Sequence, residues 1–139
     1  MKRIILLLLL LLPLGVAAQQ SKSEPQPKQD SLRLLFIGNS YTYYNDLPAM
    51  VYEIAKTQKR KLAVRSITKG GERLSGHLKN EKVRKALTDE HWDFVVLQEQ
   101  SSDPARPTEA VIEKVYPAAR ALDSLVHVGS PEAKTIFYM

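Results

Sequence analysis

The chain contains no cysteine among its 139 residues. It therefore forms no disulfide, holds no metal ion through thiolates and has no cysteine nucleophile. The same absence excludes a lipid attached to a cysteine behind the apolar N-terminus. The fold must depend on burying apolar side chains, and a chain of this length suffices for one small domain.

A strong charge of one sign is also missing. The formal net charge is +5, and the densest basic run is Lys59-Arg60-Lys61. A run this short is typical of a solvated helix end, so the sequence predicts no nucleic-acid partner. No His-x-x-x-His pair or carboxylate cluster indicates a metal site, and no motif predicts a cofactor.

The N-terminus has the layout of a secretory signal peptide. Met1-Lys2-Arg3 is basic, Ile4 to Leu12 is an unbroken apolar run, and Ala18 ends a cleavage-site pattern of small residues. The apolar run is shorter than the ~20 residues that a membrane-spanning helix needs. We therefore predict that residues 1–18 are a cleaved signal peptide, and that the protein is secreted or periplasmic without stable membrane insertion.

A polar segment separates this leader from the domain. Residues 19–31 are rich in Gln, Ser, Lys and Pro, which is typical of a flexible linker. The pattern then changes, and residues 32–139 form the predicted domain. Because this domain ends inside an apolar run, we expect the sequence to be the N-terminal part of a longer domain.

Apolar runs in the domain alternate with amphipathic segments. This alternation predicts a doubly wound parallel sheet of the α/β class, with strand order 2-1-3-4. Strands are predicted near 33–38, 62–67, 93–98 and 134–139. Helices are predicted from a start at Asn45 to Pro48, over 79–90, and over 108–126 with a kink at Pro117.

Polar groups follow each of the first three predicted strands. Gly38-Asn39-Ser40 comes after the first strand, Gly70-Gly71 after the second, and residues 98–102 after the third. The carboxyl ends of parallel strands meet at one edge of the sheet, where ligands bind in such folds. These segments would bring together a hydroxyl, backbone N–H groups and a carboxamide, which are the groups that acyl transfer uses.

Three stretches resemble the conserved blocks of one enzyme superfamily. "FIGNSYT" resembles the first block of the SGNH hydrolases, the GDSL-like esterases. "TKGGERLSGHL" is similar to the second block, and "WDFVVLQEQSSDP" stands where the third occurs, as in a bacterial branch that carries LQEQS there. The resemblance covers residues 32–139. It implies a flavodoxin-like three-layer α/β/α fold and hydrolysis of ester bonds by a serine nucleophile.

The resemblance also implies roles for individual residues. Ser40 would be the nucleophile, and Gly71, or Gly70 in its place, would supply an oxyanion-hole N–H. The family's Asp-x-x-His pair does not occur in this sequence. We expect that pair beyond the chain end, so the fragment alone should be close to inactive. Alternatively, Ser40 caps a helix or closes a turn, which are common roles of serine.

The third block lacks the asparagine that usually donates to the oxyanion. Gln100 is the candidate in its place because its carboxamide carries the same N–H₂ donors, and Gln98 and Ser102 stay open. Three residues are predicted to contact substrate: Asn39, Tyr41 and His77. Each has a structural alternative, which is a turn for Asn39, packing on the first helix for Tyr41 and a structural role for His77.

The sequence therefore predicts a secreted esterase that acts on a small-molecule or glycan ester. O-acetylated carbohydrate is the preferred substrate class, by analogy with exported members of the superfamily. The alternative is a non-catalytic module on the same fold, which binds a glycan or another ligand and lacks the catalytic Asp–His pair.

Overall fold

The computed structural model of the chain describes residues 31–138. The predicted signal peptide, and all of the predicted linker except Ser31, lie outside this range. Four strands form one sheet in the order β2-β1-β3-β4, and every neighbouring pair is parallel. The strands are β1 Leu32–Gly38, β2 Leu62–Thr68, β3 Phe94–Gln98 and β4 Lys134–Tyr138. The predicted fold class and strand order are confirmed.

Helices connect the strands. Within the described residues they are α1 Ser40–Tyr43, α2 Leu47–Thr57, α3 Leu74–Lys79, α4 Glu81–Thr88, α5 Thr108–Lys114 and α6 Tyr116–Gly129. The helix predicted over 108–126 is interrupted at Val115, because Pro117 lacks an N–H and is tolerated only in the first turn of a new helix. None of these helices combines the length and apolarity needed to cross a membrane.

The region predicted as one helix over 79–90 is organised differently. Lys79 ends α3, and Asn80 separates it from α4, which is shorter than the predicted helix. The Asn80 side chain accepts a hydrogen bond from the Lys82 N–H at 3.0 Å and so caps α4. Asparagine is a preferred N-cap residue, and this explains why the helix begins after Asn80.

One face of the sheet carries the main hydrophobic core. Alternate side chains of β1 and β3 point to this face and pack against α3, α4 and α6. The strand residues concerned are fully buried: Leu35, Ile37, Val95 and Leu97. This core fixes the carboxyl ends of β1 and β3 relative to one another. The Gly38-Asn39-Ser40 segment and residues 98–102, which carry the predicted site residues, start at these ends.

The other face of the sheet is covered mainly by α2. Leu34, Phe36 and Val96 pack there with Leu47 and Val51 of that helix. An apolar depression of about 520 Å³ continues from this packing towards β4. The side chains of β4 on this face are correspondingly open, with Ile136 45% exposed and Tyr138 39%. Phe137, which points to the face of the main core, is 46% exposed.

Candidate active site

Ser40 begins α1 immediately after the end of β1. The residue before it, Asn39, is the N-cap of this helix, because its side-chain oxygen accepts a hydrogen bond from the Tyr41 N–H at 3.2 Å. Ser40 is only partly buried, and its hydroxyl has no hydrogen-bond partner among residues 31–138. Capping is therefore done by Asn39, and the Ser40 hydroxyl is available for another role.

The turn that carries Ser40 is held by Gln98, the last residue of β3. The Gln98 Oε1 accepts hydrogen bonds from the Asn39 N–H at 2.8 Å and from the Thr42 hydroxyl at 3.0 Å. Its Nε2 donates to the carbonyl oxygen of Glu99. Gln98 is 1% exposed, so this network is closed to solvent and favours Gln100 over Gln98 as the oxyanion donor.

Gly38 allows this network to form. A Cβ placed on Gly38 would lie 2.4 Å from the Thr42 hydroxyl oxygen and 2.6 Å from the Gln98 Oε1. Atoms cannot approach so closely without a shift. The first glycine of the Gly-Asn-Ser motif is therefore required by the close approach of Gln98 and Thr42.

The glycine loop after β2 lies beside this turn. The Lys69 N–H donates to the Gly38 carbonyl at 3.1 Å, and the Asn39 Nδ2 donates to the Glu72 carbonyl at 2.9 Å. Between these two bonds, Gly71 has φ +65° and is exposed. Its N–H has no partner among the described residues. The structure thus brings the predicted oxyanion glycine to the same edge of the sheet as Ser40.

The third segment contributes Gln100, which is partly buried. Its Oε1 accepts hydrogen bonds from the Ser102 N–H at 2.9 Å and from the Ser102 hydroxyl at 2.6 Å. Its Nε2 has no partner within residues 31–138. The carboxamide is thus oriented by its oxygen, and its donor end is left unpaired.

Glu99 connects the second and third segments. Its Oε1 accepts from the Gln100 N–H at 2.6 Å and from the Leu74 N–H, at the start of α3, at 3.2 Å. The side chain is 3% exposed, and burial raises the pKa of its carboxyl. Glu99 thus fixes the spacing between the glycine block and Gln100.

Charged side chains around these loops are paired with one another. Arg73 contacts Asp103 at 2.5 Å, Arg106 contacts the same carboxylate at 2.8 Å, and Lys69 contacts Glu72 at 2.6 Å. The hydrogen bond from Arg73 holds the pKa of Asp103 below its usual range, and the bond from Lys69 does the same for the pKa of Glu72. The edge is therefore polar without a strong local charge of either sign.

His77 lies in the interior beneath the Ser40 turn. It is 1% exposed, and its Nε2 is 2.8 Å from the Gly38 carbonyl oxygen, to which it donates in the neutral tautomer. Burial lowers the pKa of His77, and its Nδ1 is buried without a partner. This buried position is consistent with a structural role for His77, which was the alternative to substrate contact. Neither His77 nor the exposed His91 and His127 is hydrogen-bonded to Ser40.

The remaining predicted substrate contacts differ in accessibility. Asn39 is 2% exposed, and its side-chain oxygen and nitrogen are both hydrogen-bonded within the turn. Tyr41 is 59% exposed, so it is open to a ligand. Within residues 31–138, no three or more His, Asp or Glu side chains are grouped so that they could hold a metal ion.

Sequence reasoning missed the structural role of two residues that hold the turn, Thr42 and Gln98. Thr42 is fully buried, and Gln98 is nearly so. The signal available in the sequence was position: Gln98 is a polar residue that directly follows the apolar run Phe94 to Leu97. Its partners could not be read from the sequence because they lie more than 50 residues earlier in the chain.

Comparison with known proteins finds solved structures with a similar fold. No family model matches the chain, and no curated protein does. The solved structure of TesA aligns with a TM-score of 0.61 and 16% identity, over 76% of this chain and 58% of TesA. A DUF4886 family protein from Bacteroides uniformis ATCC 8492 aligns with a TM-score of 0.60 and 18% identity, over 78% of this chain and 49% of that one.

The two alignments span about half the length of the proteins that they match. At identities below 20% they bear on the fold alone. That fold is a flavodoxin-like α/β/α arrangement, in which the Ser40 turn, the glycine loop and Gln100 meet at the carboxyl edge of the sheet.

Proposed function

We propose that the protein is a secreted serine hydrolase that cleaves ester bonds through an acyl-Ser40 intermediate. The observation that carries this proposal is the unpaired, partly exposed hydroxyl of Ser40 on a turn that Gln98 holds in place. A hydroxyl in a fixed position next to unpaired donors suits nucleophilic attack on a carbonyl. The SGNH-like fold supports the same function.

Three donors near Ser40 would bind the oxyanion of the tetrahedral intermediate. They are the backbone N–H groups of Ser40 and Gly71 and the Nε2 of Gln100, none of which has an acceptor within the described residues. Removing one such donor typically costs about 3 kcal/mol of transition-state stabilisation. The donor set would therefore account for a large part of the rate enhancement.

Activation of Ser40 needs a general base, since a serine hydroxyl is a poor nucleophile at its own pKa. His77 is buried and engaged with the Gly38 carbonyl, and the exposed His91 and His127 make no bond to Ser40. None of these three histidines is therefore positioned as the base of Ser40. Esterase turnover by the 139-residue chain alone should be small, as it is in hydrolases that lack a triad member.

The preferred substrate is an O-acetylated carbohydrate in the periplasm or outside the cell. This choice rests on the predicted signal peptide and on analogy with exported members of the superfamily that the sequence motifs resemble. Mass spectrometry of the exported protein should find Gln19 at its N-terminus. An intact Met1 on a membrane-bound protein would contradict the predicted cleavage.

The decisive experiment uses the protein expressed from its own gene. A fluorophosphonate should modify Ser40, as mapped by peptide mass spectrometry, and Ser40→Ala should abolish both labelling and hydrolysis of an aryl acetate, a loss of about 10³-fold or more. Because Ser40 carries little packing, the melting temperature should not change. Gln100→Ala should lower kcat by roughly 10²–10³-fold if its Nε2 donates to the oxyanion.

A matched control is Ser75→Ala, which removes an exposed hydroxyl from α3. It should leave labelling and turnover unchanged. Hydrolysis that survives Ser40→Ala would exclude the acyl-Ser40 mechanism. A Ser102→Ala variant that loses more activity than Gln100→Ala would move the donor role to Ser102.

The second candidate function is a non-catalytic binding module. It is favoured by one observation, which is that no described histidine is bonded to Ser40. This function predicts no fluorophosphonate labelling of the protein made from its own gene, together with retained binding of an ester ligand.

A further inference from the structure

Exposed tyrosines are concentrated directly behind the candidate nucleophile. Three of the six tyrosines of the chain lie within residues 41–44. Tyr41 is 59% exposed, Tyr43 46% and Tyr44 81%. Large aromatic side chains usually bury most of their surface, and tyrosine is favoured where one side of a contact is apolar and the other is wet. The cluster thus has a composition suited to a contact surface.

Helix geometry places two of these tyrosines beside Ser40. The Tyr44 N–H donates to the Ser40 carbonyl at 2.7 Å, so Tyr44 lies one helical turn beyond the serine. Side chains three and four positions apart are neighbours on a helix, whereas adjacent ones diverge. Tyr43 and Tyr44 therefore flank the Ser40 side chain on two sides, whereas Tyr41, which is adjacent to Ser40, diverges from it.

Tyr43 also reaches the glycine loop. A Cβ built on Gly70 would lie 3.1 Å from the Tyr43 hydroxyl oxygen, so this ring spans the gap between α1 and the loop that carries Gly71. The short helix itself is held in place, because the buried Thr42 is bonded to Gln98. The Tyr43 ring thus stands on a fixed base between the nucleophile and the loop of a candidate oxyanion donor, and Tyr44 follows it on the same base.

The surroundings indicate the chemistry of the ligand. The charges nearest the loops are held in ion pairs, Lys69 with Glu72 and both Arg73 and Arg106 with Asp103, and this pairing favours a neutral ligand. An open pair of tyrosines offers flat apolar faces and hydroxyls at once, which matches a sugar ring with an apolar C–H face and a rim of hydroxyls. A long acyl chain would instead need an enclosed apolar groove, and Tyr44 is largely solvated.

We infer that Tyr43 and Tyr44 form a stacking platform for a neutral sugar ring next to Ser40. This inference rests on the proposed function and deepens it, because the platform would hold the alcohol portion of the ester while the acyl carbonyl faces Ser40. The platform would act as a specificity determinant: it binds the ring and takes no part in proton transfer.

The test measures binding without catalysis. The full chain carrying Ser40→Ala is applied to an array of neutral oligosaccharides, and the best ligand is titrated by calorimetry. Adding Tyr44→Ala or Tyr43→Ala should weaken binding about tenfold, as is common for aromatic anchors in binding sites. Tyr44→Phe keeps the ring and should retain most of the affinity.

The matched control is Tyr52→Ala, which removes a 42% exposed tyrosine from α2 and should leave affinity unchanged. Absence of binding to any neutral glycan would overturn the inference. It would also be overturned if the Tyr43→Ala and Tyr44→Ala proteins bound the glycan as tightly as the Ser40→Ala parent. Binding of hexyl or aryl esters in place of glycans would also overturn it. Since every protein in this test lacks the Ser40 hydroxyl, the outcome is independent of whether Ser40 is a nucleophile.

Discussion

The turn after β1 and the glycine loop after β2 lie at the same edge of the sheet but are built in opposite ways. In the turn, Asn39 and Thr42 are buried and share the acceptor oxygen of Gln98. In the loop, Gly71 is exposed, and a Cβ placed on it would meet no atom within 4 Å. The position of the turn depends on tertiary hydrogen bonds, whereas the shape of the loop depends on the backbone conformation of one residue.

This difference suits the roles proposed for the two segments. A nucleophile must be held within a fraction of an ångström of its productive position, so it benefits from a buried network. An oxyanion donor must present an N–H to incoming substrate, so it benefits from an open position. Substitutions in the turn should therefore lower the stability of the fold by a large amount, and substitutions in the loop by a small amount.

The largest loss of stability is expected from Gln98→Met, which keeps the side-chain length and removes the amide. The Asn39 N–H and the Thr42 hydroxyl would lose their shared acceptor in a buried site, which should lower the free energy of unfolding by about 2–4 kcal/mol. Urea denaturation measures this loss. Gln100→Met, at a partly exposed position, is the control and should cost much less. Equal losses in the two variants would contradict the claim that the turn depends on Gln98.

A smaller effect is expected from His77, which joins the turn to α3 through the Gly38 carbonyl. Burial lowers the pKa of His77 in the folded state below its ordinary value of 6.5, so the unfolded chain binds this proton more readily. Its contribution to stability is complete above about pH 6.5 and is lost as the pH falls through the folded pKa, by at most about 1.4 kcal/mol for each pH unit.

Chemical denaturation between pH 8 and pH 5 checks this expectation. His77→Gln keeps a donor for the Gly38 carbonyl and cannot titrate, so its stability should fall less steeply below pH 6.5 than that of the wild type. Glu99 acts in the opposite direction, because burial raises its carboxyl pKa above 4.5 and its contribution to stability falls as the pH rises through the folded pKa. Because Glu99 is present in both proteins, its effect cancels when their slopes are compared. Identical slopes for wild type and His77→Gln would show that His77 does not bury a neutral ring.

The smallest effect is expected from Gly71→Ala. There is room for the methyl group, so the cost should come only from placing a non-glycine residue at φ +65°, which is about 1–2 kcal/mol. Thermal melting gives the stability change, and Gly70→Ala, at a position without positive φ, is the comparison. A loss as large as that of Gln98→Met would mean that the loop is as tightly packed as the turn.

Local patterns were sufficient to predict the sheet. The apolar runs Leu34 to Ile37 and Phe94 to Leu97 become β1 and β3, and the predicted order 2-1-3-4 is the observed one. Pro117 indicated the interruption between α5 and α6 because its missing N–H acts locally. Two helices were not predicted, α1 and α3, which at four and six residues are too short to show a helical period.

The segments that form the site could be predicted from the sequence, but the hydrogen bonds between them could not. The position of Ser40, Gly71 and Gln100 at strand ends follows from chain order in a parallel sheet. The bonds of Gln98 to Asn39 and of Glu99 to Leu74 join residues that are 59 and 25 positions apart, and they depend on how helices settle on the sheet. No period or motif in the sequence encodes such a pairing.

The two edge strands of the sheet differ in what they offer to another chain. In the described residues, β4 has no partner on its outer side, and Ile136 and Phe137 are nearly half exposed there. At the opposite edge, β2 carries the charged Arg65, paired with Glu90, in its middle, whereas the charged residue of β4, Lys134, stands at its first position. Because a charged side chain within an edge strand discourages strand addition, growth of the sheet is directional: a further strand is favoured next to β4 and resisted next to β2.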